Sequence, residues 1–395
     1  MIATLPASEE ERPPFREQDA LFRRVVRRFV ETEIVPHHAQ WEEEGCVPRS
    51  LWRKAGEAGL LCTTIPEAYG GAGDDIRSAV VALEEQARAG VTGPSFSLHS
   101  NIVAPYLLHY GSDGIKRTWL PRFVDGSAIG AIAMTEPRAG SDLAGIETRA
   151  VRDGAGYRIT GNKTFVSNGQ LADAVVVVAK TDAARGAHGI SLFLVDAAAA
   201  GFARGKNLDK IGMHAQDTSE LFLDGVFVEE SALLGELGRG FEYLMAELPQ
   251  ERFMIAVAAV AAAEGCFTQT LAYVGERSAF GKRVADFQHT RFVLADAATE
   301  IELGRTFIDA CVVRHLAGNL TAERAAMAKV WCTEMEGRVV DACLQLHGGY
   351  GYMREYPVAR AYVDARVKRI YGGSNEIMRE VIGRGLLSRR GGNGG

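Results

Sequence analysis

The apolar positions change their spacing twice along the chain. From Phe15, apolar residues recur at Leu21, Phe22, Val25, Val26, Phe29 and Val30, the three- and four-residue spacing of one helix face. Pro36 ends or kinks that helix. A second helix is expected over Ser50–Ala58, and a third, capped by Asp74 or Asp75, runs to about Ala89. Another follows through Ile102–His109, and one capped by Ser112 ends near Pro121. Residues 1–14 are polar and proline-bearing, and are expected to be loose.

The period shortens at Gly126. Ala128–Met134, Glu147–Arg152, Tyr157–Thr160, Lys163–Ser167, Ala174–Ala179, Ile190–Val195 and Glu220–Val228 are short runs rich in Val, Ile, Thr and Phe, which read as strands. Gly154-Ala155-Gly156 and Asp224-Gly225 sit where turns belong, and strands at this spacing suggest a small barrel or sandwich. From Gly238 the helical period returns, with long helices expected over 240–275, 287–317, 321–346 and 375–388. Four long helices with short connections suggest a bundle. The expected organisation is therefore a helical domain (1–126), a middle β domain (127–235), a C-terminal helical bundle (236–388) and a disordered Gly-rich tail (389–395).

Within this framework one stretch carries candidate chemistry. Ala131–Asp142, AIAMTEPRAGSD, begins as an apolar strand and breaks into a turn of small residues and hydroxyls, Ala139-Gly140-Ser141. Such a turn exposes backbone N–H groups that can face an anion or a flat polar ring. Three further segments follow in order: Lys163-Thr164-Phe165-Val166-Ser167-Asn168-Gly169, Arg277-Ser278-Ala279-Phe280-Gly281-Lys282, and Ile370-Tyr371-Gly372-Gly373-Ser374-Asn375-Glu376-Ile377. Together the four resemble the signatures of the acyl-CoA dehydrogenase family of flavoproteins, over nearly the whole chain. The α–β–α order matches that family's architecture.

The resemblance implies an FAD site. Ile132, Ala133, Met134, Thr135, Gly140 and Ser141 would supply one wall and backbone donors, and Phe165, Val166 and Ser167 another, with Ser167 near flavin N5. The family often has Trp at the position of Phe165 and Thr at that of Ser167; a stackable ring and a hydroxyl are both kept. Arg277 would meet the FAD pyrophosphate, a dianion that favours cations, with Phe280 close to the adenine. Gln288, Gln345, Leu346, His347, Gly348 and Gly349 match further FAD contacts, and Ser374 and Glu376 lie at flavin-contacting positions. In the family the contacts from Arg277 to Gly349 come from a neighbouring subunit, so a homotetramer is implied.

Removing a proton α to a thioester needs a base, an acceptor for the β hydride and donors for an enolate-like oxygen. Much of the family places the base, a Glu, directly after the Tyr of an Ile-Tyr-Glu-Gly segment; here that position is Gly372. The long-chain and isovaleryl types place it on a C-terminal helix, immediately before an Arg. Leu248-Pro249-Gln250-Glu251-Arg252 matches that arrangement, so Glu251 is the expected base, with Pro249 suited to the first turn of a helix segment. Arg252, Pro249 and Gln250 are expected near the substrate, Gly372 and Gly373 at the thioester, and Ser141 on the CoA arm. Glu247, one turn earlier, competes for the role of base, and Glu376 competes more weakly. The likeness is closest to the long-chain type around Phe96-Ser97-Leu98-His99-Ser100 and Leu248–Arg252, which implies a medium or long straight acyl chain, with a branched one possible. Electrons would pass to an electron-transfer flavoprotein.

Composition narrows the field. A hydrophobic content of 47% and a charged content of 24% are ordinary for a folded protein, and a net charge of −6 argues against a nucleic-acid binder. Six cysteines without a CxxC or zinc spacing read as inert thiols in a reducing compartment, and no metal site is expected. The N-terminus lacks a secretory pattern, and the apolar run Phe253–Ala263 is shorter than the ~20 residues of a membrane span, so a cytoplasmic protein is the default expectation. Two alternatives stay open. One is an oxidase or flavin monooxygenase using O₂ on the same fold; the other is a non-catalytic flavin-binding relative.

Overall fold

The computed structural model describes residues 12–391, with side chains as far as Leu387. The expected looseness of residues 1–14 thus falls mostly on 1–11, outside the described residues, as does the end of the Gly-rich tail, 392–395.

The N-terminal helices are α1 (Glu17–Phe29), α2 (His38–Glu44), α3 (Arg49–Glu57), α4 (Ile76–Arg88), α5 (Ala104–Tyr110) and α6 (Asp113–Val124). Pro36 acts as expected: after α1 the chain passes through a π turn, Val30–Ile34, and a 3₁₀ turn, Val35–His37, before α2, which sequence reasoning missed. Asp75 caps α4 by accepting the Arg77 N–H, and Ser112 caps α6 by accepting that of Ile115.

The middle region holds β1 (Gly130–Ala133), β2 (Arg149–Asp153), β3 (Gly156–Ser167), β4 (Ala174–Lys180), β5 (Ile190–Asp196), β6 (Phe202–Asn207), β7 (Thr218–Glu229) and β8 (Leu233–Leu234). The strands follow one hydrogen-bonded path, β6-β7-β3-β2-β4-β5-β8, with β1 parallel to β4. A single pair, Arg149 with Lys180, joins its two halves. The halves share a core, with Tyr157 of β3 against Phe193 of β5 at 5.1 Å, so the arrangement is a sandwich hinged at one corner. Two expectations need correction here. Tyr157–Thr160 and Lys163–Ser167 are one strand, and Asp224-Gly225 is not a turn between strands but a bulge within β7, opposite the register shift between Ile159 and Gly161.

The rest is helical: α7 (Gly240–Glu276), the short hairpin β9 (Ser278–Ala279) and β10 (Lys282–Arg283), α8 (Gln288–Leu316), α9 (Ala322–His347), α10 (Pro357–Ala365) and α11 (Asn375–Gly391). Residues 389–391, expected in a disordered tail, belong to α11. Pro249 is not in a first turn but well inside α7, where it denies the Met245 carbonyl its partner. By length and composition α7 could cross a membrane, but it is the core helix of the bundle: two-thirds of its most apolar window is buried, largely against α4 and α9.

Two devices join these layers. Glu84 of α4, fully buried, is surrounded by Arg12, Arg23 of α1 and Arg305 of α8; the carboxylate is held well below its usual range because the three guanidinium groups outweigh the burial that opposes them. Buried His99 accepts the Gly130 N–H on Nδ1 (3.0 Å) and donates from Nε2 to the Phe123 carbonyl (3.0 Å), which fixes the start of β1 against the N-terminal helices.

Candidate active site

The three layers meet around a cavity of about 620 Å³. One wall is the end of β1 and the turn after it: Ile132, Met134, Thr135, Gly140 and Ser141 line it, whereas the Ala133 side chain alternates into the sandwich core. The second wall is the end of β3, with Thr164, Phe165, Val166 and Ser167. A register shift between Lys163 and Val166 and a φ of +57° at Phe165 turn that ring outward, leaving it 69% exposed. Positive φ is unfavourable for an aromatic residue, so surrounding contacts must hold it. The two walls are tied by the Thr164 N–H donating to the Thr135 carbonyl (2.9 Å) and, behind them, by the buried pair Lys163–Glu136 at 2.7 Å. Glu136 also accepts the N–H groups of Glu147 (2.5 Å) and Thr148 (3.0 Å), and Lys163 donates to the Met134 carbonyl (3.2 Å).

The third wall is α7. Leu248, Glu251, Arg252, Ile255, Ala258 and Ala262 lie at helical spacing along it, and Cys266 and Gln269 continue the row. Pro249 and Gln250 point elsewhere. Gln250 lies on the opposite face, where its amide donates to the Asn101 carbonyl (2.8 Å) and meets His315 (3.1 Å), so neither residue contacts the cavity as expected.

Glu251 opens on the cavity, yet its Oε2 is shielded from solvent and has no hydrogen-bond partner. Burial pushes its carboxyl up to about 7, against the opposing pull of Arg252 and Lys329. Across from it, Gly372 (φ +63°) and Gly373 (φ +87°) form the fourth wall in backbone conformations that side chains avoid. A Cβ placed on Gly372 would lie 3.7 Å from Glu251 Oε1 and 2.4 Å from Ile255 Cδ1. The carboxylate on α7 therefore reaches the space into which a side chain at position 372 would project. Glu247 is committed instead to His109 (2.7 Å) and Tyr110 (2.9 Å) and does not line the cavity. Glu376 is an exposed residue at the start of α11, and Ser374 precedes it.

The remaining expected residues collect elsewhere, on the outer end of the bundle. Arg277 lies over the Tyr350 ring at 5.3 Å, Phe280 at the hairpin tip is 96% exposed, and His347 stacks on Tyr273 at 4.1 Å. Gln288, Gln345, Gly348 and Gly349 are exposed, and Leu346 is half-buried. None of these lines this subunit's cavity.

Sequence reasoning assigned nothing to Lys329, Glu336, Asp364 or Lys368, which gather beneath Tyr371–Gly373. Burial pushes the Glu336 carboxyl up to about 7, opposed by its ion pair with Lys368 at 2.5 Å. The available signal was a Lys and a Glu interrupting the apolar face of α9 formed by Ala325, Ala328, Cys332 and Met335.

Comparison with known proteins settles what this constellation belongs to. Three domain models of one family match in order: the acyl-CoA dehydrogenase N-terminal domain over residues 16–127, the middle domain over 131–226 and the C-terminal domain over 238–387. The long-chain specific acyl-CoA dehydrogenase, mitochondrial, of Sus scrofa is 52% identical over 94% of this chain and 87% of its own length. This chain belongs to the acyl-CoA dehydrogenase family. It is an enzyme of that family's flavin-dependent oxidoreductase type. The crystal structure of an acyl-CoA dehydrogenase from Geobacillus kaustophilus superposes with a TM-score of 0.93 at 49% identity, covering 95% of this chain and all of that one. A glutaryl-CoA dehydrogenase from Mycobacterium smegmatis, solved in complex with FADH2, superposes with a TM-score of 0.88 at 31% identity, covering 95% of each chain.

Proposed function

We propose that the enzyme converts a long straight-chain acyl-CoA to its trans-2-enoyl-CoA, with FAD as the flavin and Glu251 as the base that takes the α-proton. The observation that carries this reading is the Glu251 carboxyl, whose Oε2 is unpartnered and whose Oε1 lies 3.7 Å from where a Cβ on Gly372 would stand. A carboxyl pushed up to about 7 by burial is matched to proton transfer at neutral pH, and a positioned base contributes ~10²–10⁴ in rate.

The cavity fits a flavin. The outward ring of Phe165 offers a stacking face, Thr135, Ser141 and Ser167 bring hydroxyls to the same walls, and Gly140 keeps a side chain out of the way. FAD bound there would supply the acceptor for the β hydride. Gly372 N–H would donate to the thioester oxygen, Arg252 would hold the loop that carries it through the Gly372 carbonyl (3.4 Å), and Ser141 would meet the CoA arm. Arg277, Phe280 and Gln288 with Gln345–Gly349 would complete the FAD site of a neighbouring subunit in a homotetramer, which accounts for their distance from their own cavity. An electron-transfer flavoprotein would accept the electrons, and the cytoplasm remains the expected location.

Chain length follows from α7. The cavity row from Glu251 to Gln269 spans roughly 27 Å at ~1.5 Å per residue. An extended sixteen-carbon chain needs roughly 20 Å, given C–C bonds of about 1.5 Å. Ala258 and Ala262 leave room, and Leu83, Val91 and Leu98 give the opposite side an apolar lining. A monooxygenase would have no use for an unpartnered carboxyl at Glu251.

The test is a series of saturated acyl-CoAs, from four to eighteen carbons, added anaerobically to the holoenzyme. Flavin bleaching should be fastest with the long chains, and reoxidation by O₂ should be slow. Bleaching by none of them, or fastest bleaching by the shortest, would overturn the proposal.

A further inference from the structure

The Gly372–Gly373 loop poses a mechanical problem. Both residues sit in left-handed conformations between a 3₁₀ turn (Arg366–Arg369) and α11, so regular backbone hydrogen bonding cannot hold their carbonyls. Side chains do. Arg252 reaches the Gly372 carbonyl over a long 3.4 Å, whereas Lys329 Nζ donates to the Gly373 carbonyl at 2.8 Å and to Asn375 Oδ1 at 2.9 Å. Asn375 in turn donates to Thr333 Oγ1 (3.1 Å) and Glu334 Oε1 (3.0 Å), both on α9 beside Lys329. One ammonium thus clamps the loop, the start of α11 and the middle of α9 together.

Lys329 is fully buried, although its carbonyl and amide partners are neutral and no carboxylate bonds it directly. A buried ammonium with neutral partners is costly to retain for packing alone, since a neutral side chain of similar length would fill the same space. We propose that Lys329 is a positioning residue for the reaction, fixing through Gly373 the backbone at Gly372 and, in doing so, holding its positive charge where it favours the ionised Glu251 carboxylate opposite. This rests on the assignment of Glu251 as the base.

The same ammonium acts on the base through its charge. Glu251 faces Arg252 from its own helix, Tyr106 from α5, Lys329 from α9 and Tyr371 from the glycine loop, while Glu247, one turn earlier, acts on Tyr106 as well. Of these, Arg252 and Lys329 favour the carboxylate form, against burial. Burial lowers the Lys329 ammonium to about 8, so it is still mostly charged at neutral pH. Removing that charge disfavours ionised Glu251, and the acid limb of the pH–rate profile moves to higher pH.

The experiment compares Lys329→Met, Lys329→Gln and Lys329→Arg with wild-type holoenzyme, measuring kcat and kcat/KM from pH 5.5 to 9 together with FAD content and melting temperature. The neutral variants should keep FAD, and their acid limb should move up by about one pH unit. Turnover on the low-pH side should then fall roughly tenfold, because one unit is tenfold in the deprotonated fraction. Lys329→Arg should return the limb towards wild type. Where Lys329→Met does not accumulate, Lys329→Gln, which keeps a donor for the buried carbonyl, carries the test. A neutral variant with the wild-type limb overturns the proposal, whether its turnover is intact or uniformly reduced, since the second pattern marks a role in packing alone. Glu251→Gln, assayed alongside, separates the two claims: if it still turns over, the base assignment has failed, and if it is inactive while the Lys329 variants keep the wild-type limb, only the role of Lys329 has.

Discussion

Replacing Glu251 by Gln keeps the shape of the side chain and removes its ability to ionise, so it should separate two effects that the structure couples. The first is catalytic: without a base the α-proton has no acceptor, and flavin bleaching by acyl-CoA should slow by ~10²–10⁴. The second is energetic and opposite in direction. The carboxyl ordinarily titrates at 4.5 and is pushed up to about 7 in the folded protein by burial. At 1.36 kcal/mol per pH unit that gap amounts to at most about 3 kcal/mol, less whatever the cavity's access to water screens. Below pH 4.5 the group is protonated in both states and the gap costs nothing. Between 4.5 and 7 the unfolded chain ionises first, so wild-type stability falls across that window and levels off above it. The Gln variant carries no such penalty. Its stability advantage should therefore be absent near pH 4.5 and grow to about 2–3 kcal/mol by pH 8. Glu336, also pushed up to about 7 by burial, titrates in both proteins and cancels in the difference. Urea unfolding of the two proteins at several pH values, both saturated with FAD, measures the second effect, and anaerobic stopped-flow spectroscopy measures the first. Bleaching within tenfold of wild type, or a stability difference that does not change with pH, would refute the reasoning.

Four further outcomes are expected. Glu247→Gln should keep turnover within a few-fold of wild type by dye-linked assay, because that carboxylate is bound to His109 and Tyr110 and lies off the cavity. Gly372→Ala should cost about 1–3 kcal/mol in urea unfolding and slow turnover, since the new Cβ both adopts a left-handed φ and overlaps Ile255. Phe165→Ala should weaken FAD binding by about fivefold in fluorescence titration, an aromatic contact being worth roughly 1 kcal/mol, while leaving the melting temperature of the flavin-free protein unchanged, since the ring is largely exposed and Ala keeps the same positive φ. Lys163→Met should cost about 3–5 kcal/mol by stranding the buried Glu136 carboxylate. Adding Glu136→Leu should recover only part of that loss, because the N–H groups of Glu147 and Thr148 then lose their acceptor.

What was legible in the sequence is what local chemistry writes there. Asp75 and Ser112 mark helix starts because a capping oxygen acts within three residues, and α7, α8 and α9 are long enough for their period to be unmistakable. The strand β6, FARGKN, was missed because it is an edge strand whose residues are largely open to solvent, so no alternation records its place; only its pairing with β7 does. Helix α10 is short and begins with Pro357, which reads as a stop when it is a first-turn residue. At the cavity, Phe165, Ser141 and Glu251 were found through motifs, whereas Gln250 was misplaced because adjacency in sequence was taken for adjacency in space on a helix, where neighbours point a hundred degrees apart. Lys329 and Glu336 were overlooked for a different reason. Their roles depend on α9 passing beneath a loop some forty residues later in the chain, a relation that no spacing rule encodes.

The exchange of a carboxylate between position 372 and α7 is more than a change of address. Ile255 follows Glu251 by one helical turn, and its Cδ1 occupies the point where a Cβ at 372 would have to go. The pair Glu251 and Ile255 on one helix face therefore requires glycine across from it, and the loop there in turn needs Arg252 to hold the Gly372 carbonyl and Lys329 to hold that of Gly373. A chain with Glu after the tyrosine would need a smaller residue than Ile255 and a neutral one at 251, since two carboxylates within a few ångströms cannot both ionise. The four positions 251, 252, 255 and 372 thus act as one unit, with Lys329 behind it. Transplanting the base back to 372 by a single substitution would meet a steric overlap and a like charge at once.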